Sequence, residues 1–184
     1  MAAVEQLSDR RLMVTQPEAG YRTPPHNIEA EQALLGAILV NNDAFDRVSD
    51  FLKPEHFSED LHRRIFEILS QLIRAGKVAT VVTLKTYLAD VDLGGLTVSQ
   101  YLARLRAQAT TIINAEDYGR PIHDLAVRRD LIVIGGDIVN TAYDAPIDSA
   151  PRQQIEEAER KLYSIAETGR YDGGFQTFTS AITT

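Results

Sequence analysis

From Asn114 to Tyr143 the chain runs on as one long apolar-patterned segment containing a single proline, Pro121, and its centre reads DLIVIGGDIV at residues 130 to 139. Two structures compete for that stretch: a core strand ending in a phosphate-binding turn, or a helix carrying two glycines. The strand predicts G-x-G-x-x-G, but Gly135-Gly136-Asp137 is followed by Ile138, Val139 and Asn140, with no third glycine where a pyrophosphate would approach the backbone. A Walker A loop fails too, because the only Gly-Lys pair, Gly76-Lys77, is preceded by Gln71 where the first glycine belongs and followed by Val78. The helix costs roughly 1 kcal/mol per interior glycine relative to alanine, which packing has to return.

At 100° per residue, Ile122, Leu125, Ile132, Gly136, Val139 and Tyr143 share one face, and Val127, Leu131, Ile134, Ile138 and Ala142 share another roughly 150° away. Asp130 and Asp137 fall between them. A helix apolar on two separated faces is covered from two sides. After DAPIDSAP, Ser149 and Pro151 open a second helix with Ile155, Ala158, Leu162 and Ile165 on one stripe and Gly169 past its end, so the two form an antiparallel hairpin over 113–169. One stripe covers one face. The other is covered either by the preceding residues folding back or by a second subunit, with Gly136 allowing close approach. Expected self-association positions are Leu125, Val127, Leu131, Ile132, Ile134, Gly136, Ile138 and Val139, with the inward stripe left open.

The preceding residues read as a compact bundle of short helices, a head over 27–112, and the fold class is all-α: this head followed by the long antiparallel hairpin. Asn27 caps a first helix with Glu29 and Glu31 in its positive first turn, and Gly36 inside it marks a close neighbour. Ser58 is placed as the cap of a second helix carrying Leu61, Ile65, Ile68, Leu69 and Leu72, stopped by Gly76. LKTYLAD reads as a helix begun at Thr83, and VSQYLARLRAQA as another. Residues 1–26, ending in RTPPH, read as a flexible arm, and 170–184 as the start of a linker.

No cysteine is present, which removes disulfides, thiolate metal sites and thiol nucleophiles together. Of the four histidines, His26, His56, His62 and His123, no two stand at i, i+4 beside a glutamate, so no metal site is expected, and His62 is read as a surface or partly buried helix residue. No serine lies in G-x-S-x-G, and no cofactor site is read in these residues. Acids outnumber bases 26 to 19, and the few arginine clusters are interleaved with acids, which disfavours a dedicated nucleic-acid grip. The start has no signal-peptide pattern and no stretch approaches the roughly 20 apolar residues of a membrane span, so a cytoplasmic protein is expected. A small regulatory DNA-binding helical protein is the alternative that salt-dependent DNA binding would favour.

Six stretches carry a resemblance: PPHNIEAEQALLGAILVNNDAF (24–45), FLKPEHFSEDLHRRIFEIL (51–69), VVTLKTYL (81–88), GGLTVSQYLARL (94–105), INAEDYGRPIHDLAVRRDLI (113–132) and IEEAERKLYSIAE (155–167). Together they resemble the N-terminal domain of DnaB-type bacterial replicative helicases. The resemblance implies a helical head and hairpin that in the family precede a RecA-like motor, so that ATP and Mg, and DNA contact, belong to a domain missing here and this piece is not an enzyme by itself. It also implies a homo-oligomer, with hairpin-paired dimers assembling as a trimer of dimers into a collar, and docking of a DnaG-type primase and, in some systems, a helicase loader. The family's G-G-x-x-Y-L is lengthened by three residues here to G-G-L-T-V-S-Q-Y-L, and Tyr101 within it is the expected primase contact.

Overall fold

The computed structural model describes residues 22–88, 95–109, 114–146 and 150–168. Among the described residues six α-helices follow one another: α1 (Ile28–Val40), α2 (Asp60–Arg74), α3 (Val81–Lys85), α4 (Val98–Gln108), α5 (Ala115–Asp144) and α6 (Pro151–Thr168), with 3-10 turns at Asn42–Ala44 and Pro54–His56. No strand occurs among the described residues. The all-α head and hairpin are therefore present, and the nucleotide-fold reading of DLIVIGGDIV is excluded by its place inside α5.

Local chemistry accounts for most of the boundaries. The Asn27 side chain accepts the Ala30 N–H at 3.0 Å and starts α1. At the end of α2, Gly76 takes φ 70°, and the N–H groups of Gly76 and Lys77 return to the carbonyls of Ile73 and Leu72. Two expectations need correction. Ser58 does not cap α2, which has no side-chain cap, because its hydroxyl and its N–H are both spent on Glu31. And α3 begins at Val81, before Thr83, because Thr80 and Thr83 form a reciprocal capping box. Thr97 and Gln100 repeat that device at α4.

The core lies in the head, built around Leu34, Leu35, Ile38, Phe57, Ile65 and Phe66, each no more than 1% exposed. Burying a side chain of this size contributes roughly 1.5–3 kcal/mol. Gly36 lets α1 approach α4 so closely that a Cβ there would run into the Leu105 carbonyl. The start of α5 belongs to the same core: Ala115, Gly119, Ile122 and Ala126 are buried, and a Cβ on Gly119 would stand 2.7 Å from Val48 Cγ1. Pro121 falls near enough to the helix start to be accommodated. Beyond Ala126 no residue of α5 is buried, and none of α6 whose side chain is described.

Candidate interaction site

Two features stand out against this scaffold, a buried polar lock inside the head and an open apolar face on the hairpin. The lock begins with a carboxylate on the apolar side of α1, one turn before Leu34 and Leu35. Glu31, on the inward side of α1, is 1% exposed and accepts hydrogen bonds from Ser58 N–H at 2.7 Å, Ser58 Oγ at 2.6 Å and His62 Nδ1 at 2.7 Å. His62 is also 1% exposed, which corrects its reading as a surface or partly buried residue. Its other nitrogen, Nε2, lies 2.6 Å from the Tyr101 hydroxyl, which in turn accepts from Gln32 Nε2 at 3.0 Å. With the imidazole proton on Nδ1, every partner is satisfied: Nδ1–H donates to Glu31, Nε2 accepts from Tyr101, and the phenol oxygen accepts from Gln32. The His62 and Tyr101 rings stack at 6.0 Å and 13°.

Burial pushes the Glu31 carboxyl upward, but the hydrogen bonds from His62 and Ser58 outweigh it and hold the group below its ordinary value. Burial raises the Tyr101 phenol, against the Gln32 bond, so its hydroxyl stays a donor. The expected primase contact is thus half-buried with its hydroxyl already engaged twice.

A second polar joint fixes the head to the hairpin. Arg129 on α5 donates to the carbonyls of Pro25 at 2.9 Å and His56 at 2.5 Å. His56 packs edge-on against His123 at 5.0 Å beside a cavity of about 290 Å³ lined by Phe51, Lys53, Glu55, His56, Arg129 and Asp130 among others. Burial, reinforced by His123, lowers His56 to about 4, so it is neutral near pH 7. Among the described residues no group of three or more histidine, aspartate or glutamate side chains is arranged to hold a metal ion, and no helix is long and apolar enough to cross a membrane.

On the hairpin, α6 meets α5 through Gln154, whose amide donates to the Ile138 carbonyl at 2.9 Å, and through Lys161, 3.3 Å from Asp137 and 3.5 Å from Glu157 one turn back on its own helix. Ile134 and Ile138 face this seam half-buried, as do Ala158 and Ile165. The α6 stripe covers less than its periodicity implied, for Ile155 remains 58% and Leu162 43% exposed. Of the expected association positions, Leu125 and Val127 are half-buried near the head, while Leu131, Ile132 and Val139 stand 45%, 56% and 53% exposed. No atom lies within 4 Å of where a Cβ on Gly135 or Gly136 would stand, so the close neighbour expected at Gly136 is not supplied by the described part of its own chain.

Sequence reasoning missed the role of His62 and Glu31, although both lie in the two segments that carry the resemblance, I-E-A-E-Q-x-x-L-G-x-I-L and H-x-x-I-F. Comparison with known proteins agrees with the geometry. Residues 23–124 match the DnaB-like helicase N-terminal domain family. The chain is 43% identical over 155 residues to the replicative DNA helicase DnaB of Rickettsia typhi, covering 84% of this chain and 31% of that protein. It is 34% identical over 148 residues to that of Pasteurella multocida, covering 78% and 31%. This chain therefore spans about a third of the length of these helicases. Among solved structures, the N-terminal domain of DnaB helicase from Mycobacterium tuberculosis superposes with a TM-score of 0.68 at 26% identity, covering 77% of this chain and 99% of that one. A DnaB-like replicative helicase described with its interactions with primase gives a TM-score of 0.62 at 26% identity, covering 80% and 33%. With the all-helical head and hairpin, these matches show that the chain belongs to the DnaB-like helicase N-terminal domain family.

Proposed function

We propose that this chain is the collar domain of a hexameric replicative DNA helicase, pairing with a second copy through its hairpin and presenting its head to a DnaG-type primase. The observation that carries the pairing is the open apolar face shared by α5 and α6. In α5, Leu131, Gly135, Val139 and Ile132 lie on one side of the α6 seam, and Asp137 on the other. In antiparallel α6, Ile155 and Leu162 flank the seam on the side away from Lys161, which bonds Asp137. The polar residues thus mark one edge and the aliphatic residues of both helices merge on the other. Two helices with a common apolar face are half of a four-helix bundle, and the identical face of a second chain completes it. Primase docking is supported by the structural relative described with primase.

Sedimentation of the full chain across concentration tests the pairing. A dimer should accumulate with concentration, and Val139→Asp should shift the dissociation constant by about tenfold or more, the cost of placing a charge in a desolvated centre. A strict monomer at high micromolar concentration sinks the proposal.

A further inference from the structure

The side of the head formed by the end of α2 and by α3 combines an acid-free, cationic segment with exposed aliphatic side chains. Between Ile68 and Leu88 stand Arg74, Lys77 and Lys85 and not one of the chain's 26 acids, in a protein whose net charge is -7. On the same segment Val78 is 68%, Val82 76% and Tyr87 52% exposed. Within α3, Val82 and Lys85 are three residues apart and share its outward face.

The backbone of this segment is braced by the rest of the head. Ala79 is buried, its N–H donating to Asn42 Oδ1 at 2.8 Å and its carbonyl accepting from Asn42 Nδ2 at 2.9 Å. The Thr80–Thr83 box fixes the start of α3, Leu84 anchors it in the core, and the Arg74 guanidinium sits 5.7 Å over the Phe45 ring. Two β-branched side chains held out to solvent on a braced backbone lose little conformational freedom when covered.

We infer that the Val78–Val82–Tyr87 surface, with its Lys77 and Lys85 rim, is a docking site for an acidic amphipathic helix of a partner protein. The apolar side chains would take the helix's hydrophobic stripe while the cations meet its acids. Single-stranded nucleic acid fits less well: three cations neutralise few phosphates and Tyr87 offers one ring for stacking. The inference rests on the primase-docking reading and assigns the contact to α3 and not to the internally bonded Tyr101 hydroxyl.

Calorimetric titration of the full chain with its cognate primase tests it, using Val82→Glu and Lys85→Glu, both exposed positions whose replacement should leave the melting temperature unchanged. Each should weaken binding about tenfold or more, and Lys85→Glu should also flatten the dependence on salt. If Val82→Glu disturbs folding, Lys85→Glu carries the test. Wild-type and both variants binding primase equally overturns the assignment and leaves the docking reading standing; a wild-type chain that binds no primase removes both. Salt-dependent binding to a single-stranded oligonucleotide, lost in Lys85→Glu while primase binding is intact, overturns it in favour of a nucleic-acid contact.

Discussion

At the scale of single residues, the head depends on a carboxylate that lies on the apolar side of α1, in line with Leu34, Leu35 and Ile38. Glu31 is buried, and what makes that tolerable is the set of donors facing it from Ser58 and His62. Removing the far end of the chain, Tyr101→Phe, deprives His62 Nε2 of its donor and Gln32 of its acceptor, and should cost about 1–3 kcal/mol in urea unfolding. The pH dependence follows from two groups whose values in the fold are depressed. His56, at about 4 in the fold against 6.5 unfolded, stays neutral while the unfolded chain takes up a proton. Stability should therefore fall as pH drops from 6.5 towards 4, and His56→Asn should remove that part of the fall. Glu31 adds a second loss at lower pH, as the pH falls from its unfolded value of 4.5 through its lowered value in the fold. A melting-temperature profile that is flat between pH 6.5 and 4 in the wild type contradicts the first stage. Little of this was legible in the sequence. The Asn27 cap and the Gly76 stop were readable because each acts within its own turn, whereas Glu31 meets Ser58 27 residues away and His62 31 away, a separation over which helical period carries no information.

At the scale of elements, four glycines in two helices divide by what stands over them. Gly36 and Gly119 are covered, by Leu105 and by Val48 with Phe51, and alanine at either should destabilise by about 1–3 kcal/mol through overpacking. Gly135 and Gly136 have open space beside them, so alanine there should raise the thermal stability of the dilute chain, by roughly 0.5–1 kcal/mol each. If the hairpin pairs as proposed, Gly136→Leu should at the same time weaken self-association, since the added side chain would stand where a second helix approaches. Opposite effects on dilute stability and on dimer formation are the signature of glycines kept for an intermolecular contact. Equal loss of both would mean a packing role within the chain. That α5 has two apolar faces was legible from spacing alone. Which residues the head takes was less so, because beside Ile122 its contact uses Ala115, Gly119 and Ala126, small side chains that carry little periodic signal.

For the molecule as a whole, the division between head and hairpin is one of burial more than of sequence position. The first turns of α5 share the core of the head through Ala115 and Ile122, Ala126 is buried one turn on, and Arg129 ties the last of that contact to Pro25 and His56. Past this point the hairpin rests on a single seam of half-buried residues, with Lys161, Asp137 and Glu157 at its edge, and exposed ion pairs of this kind contribute little. Two tiers of local stability are the consequence: head and early α5 opening only with global unfolding, distal α5 and α6 opening at lower free energy. Mass action then separates them, because a second chain stabilises only the part it covers, by an amount that grows with protein concentration. In hydrogen exchange, amides of α5 from about Leu131 and of α6 should exchange fast at low micromolar concentration and become protected as concentration rises. Those of α1 and α2 should be protected throughout. Protection of the distal hairpin that does not change with concentration, in a chain that stays monomeric, would show the hairpin to be stable alone and its apolar face to have another purpose.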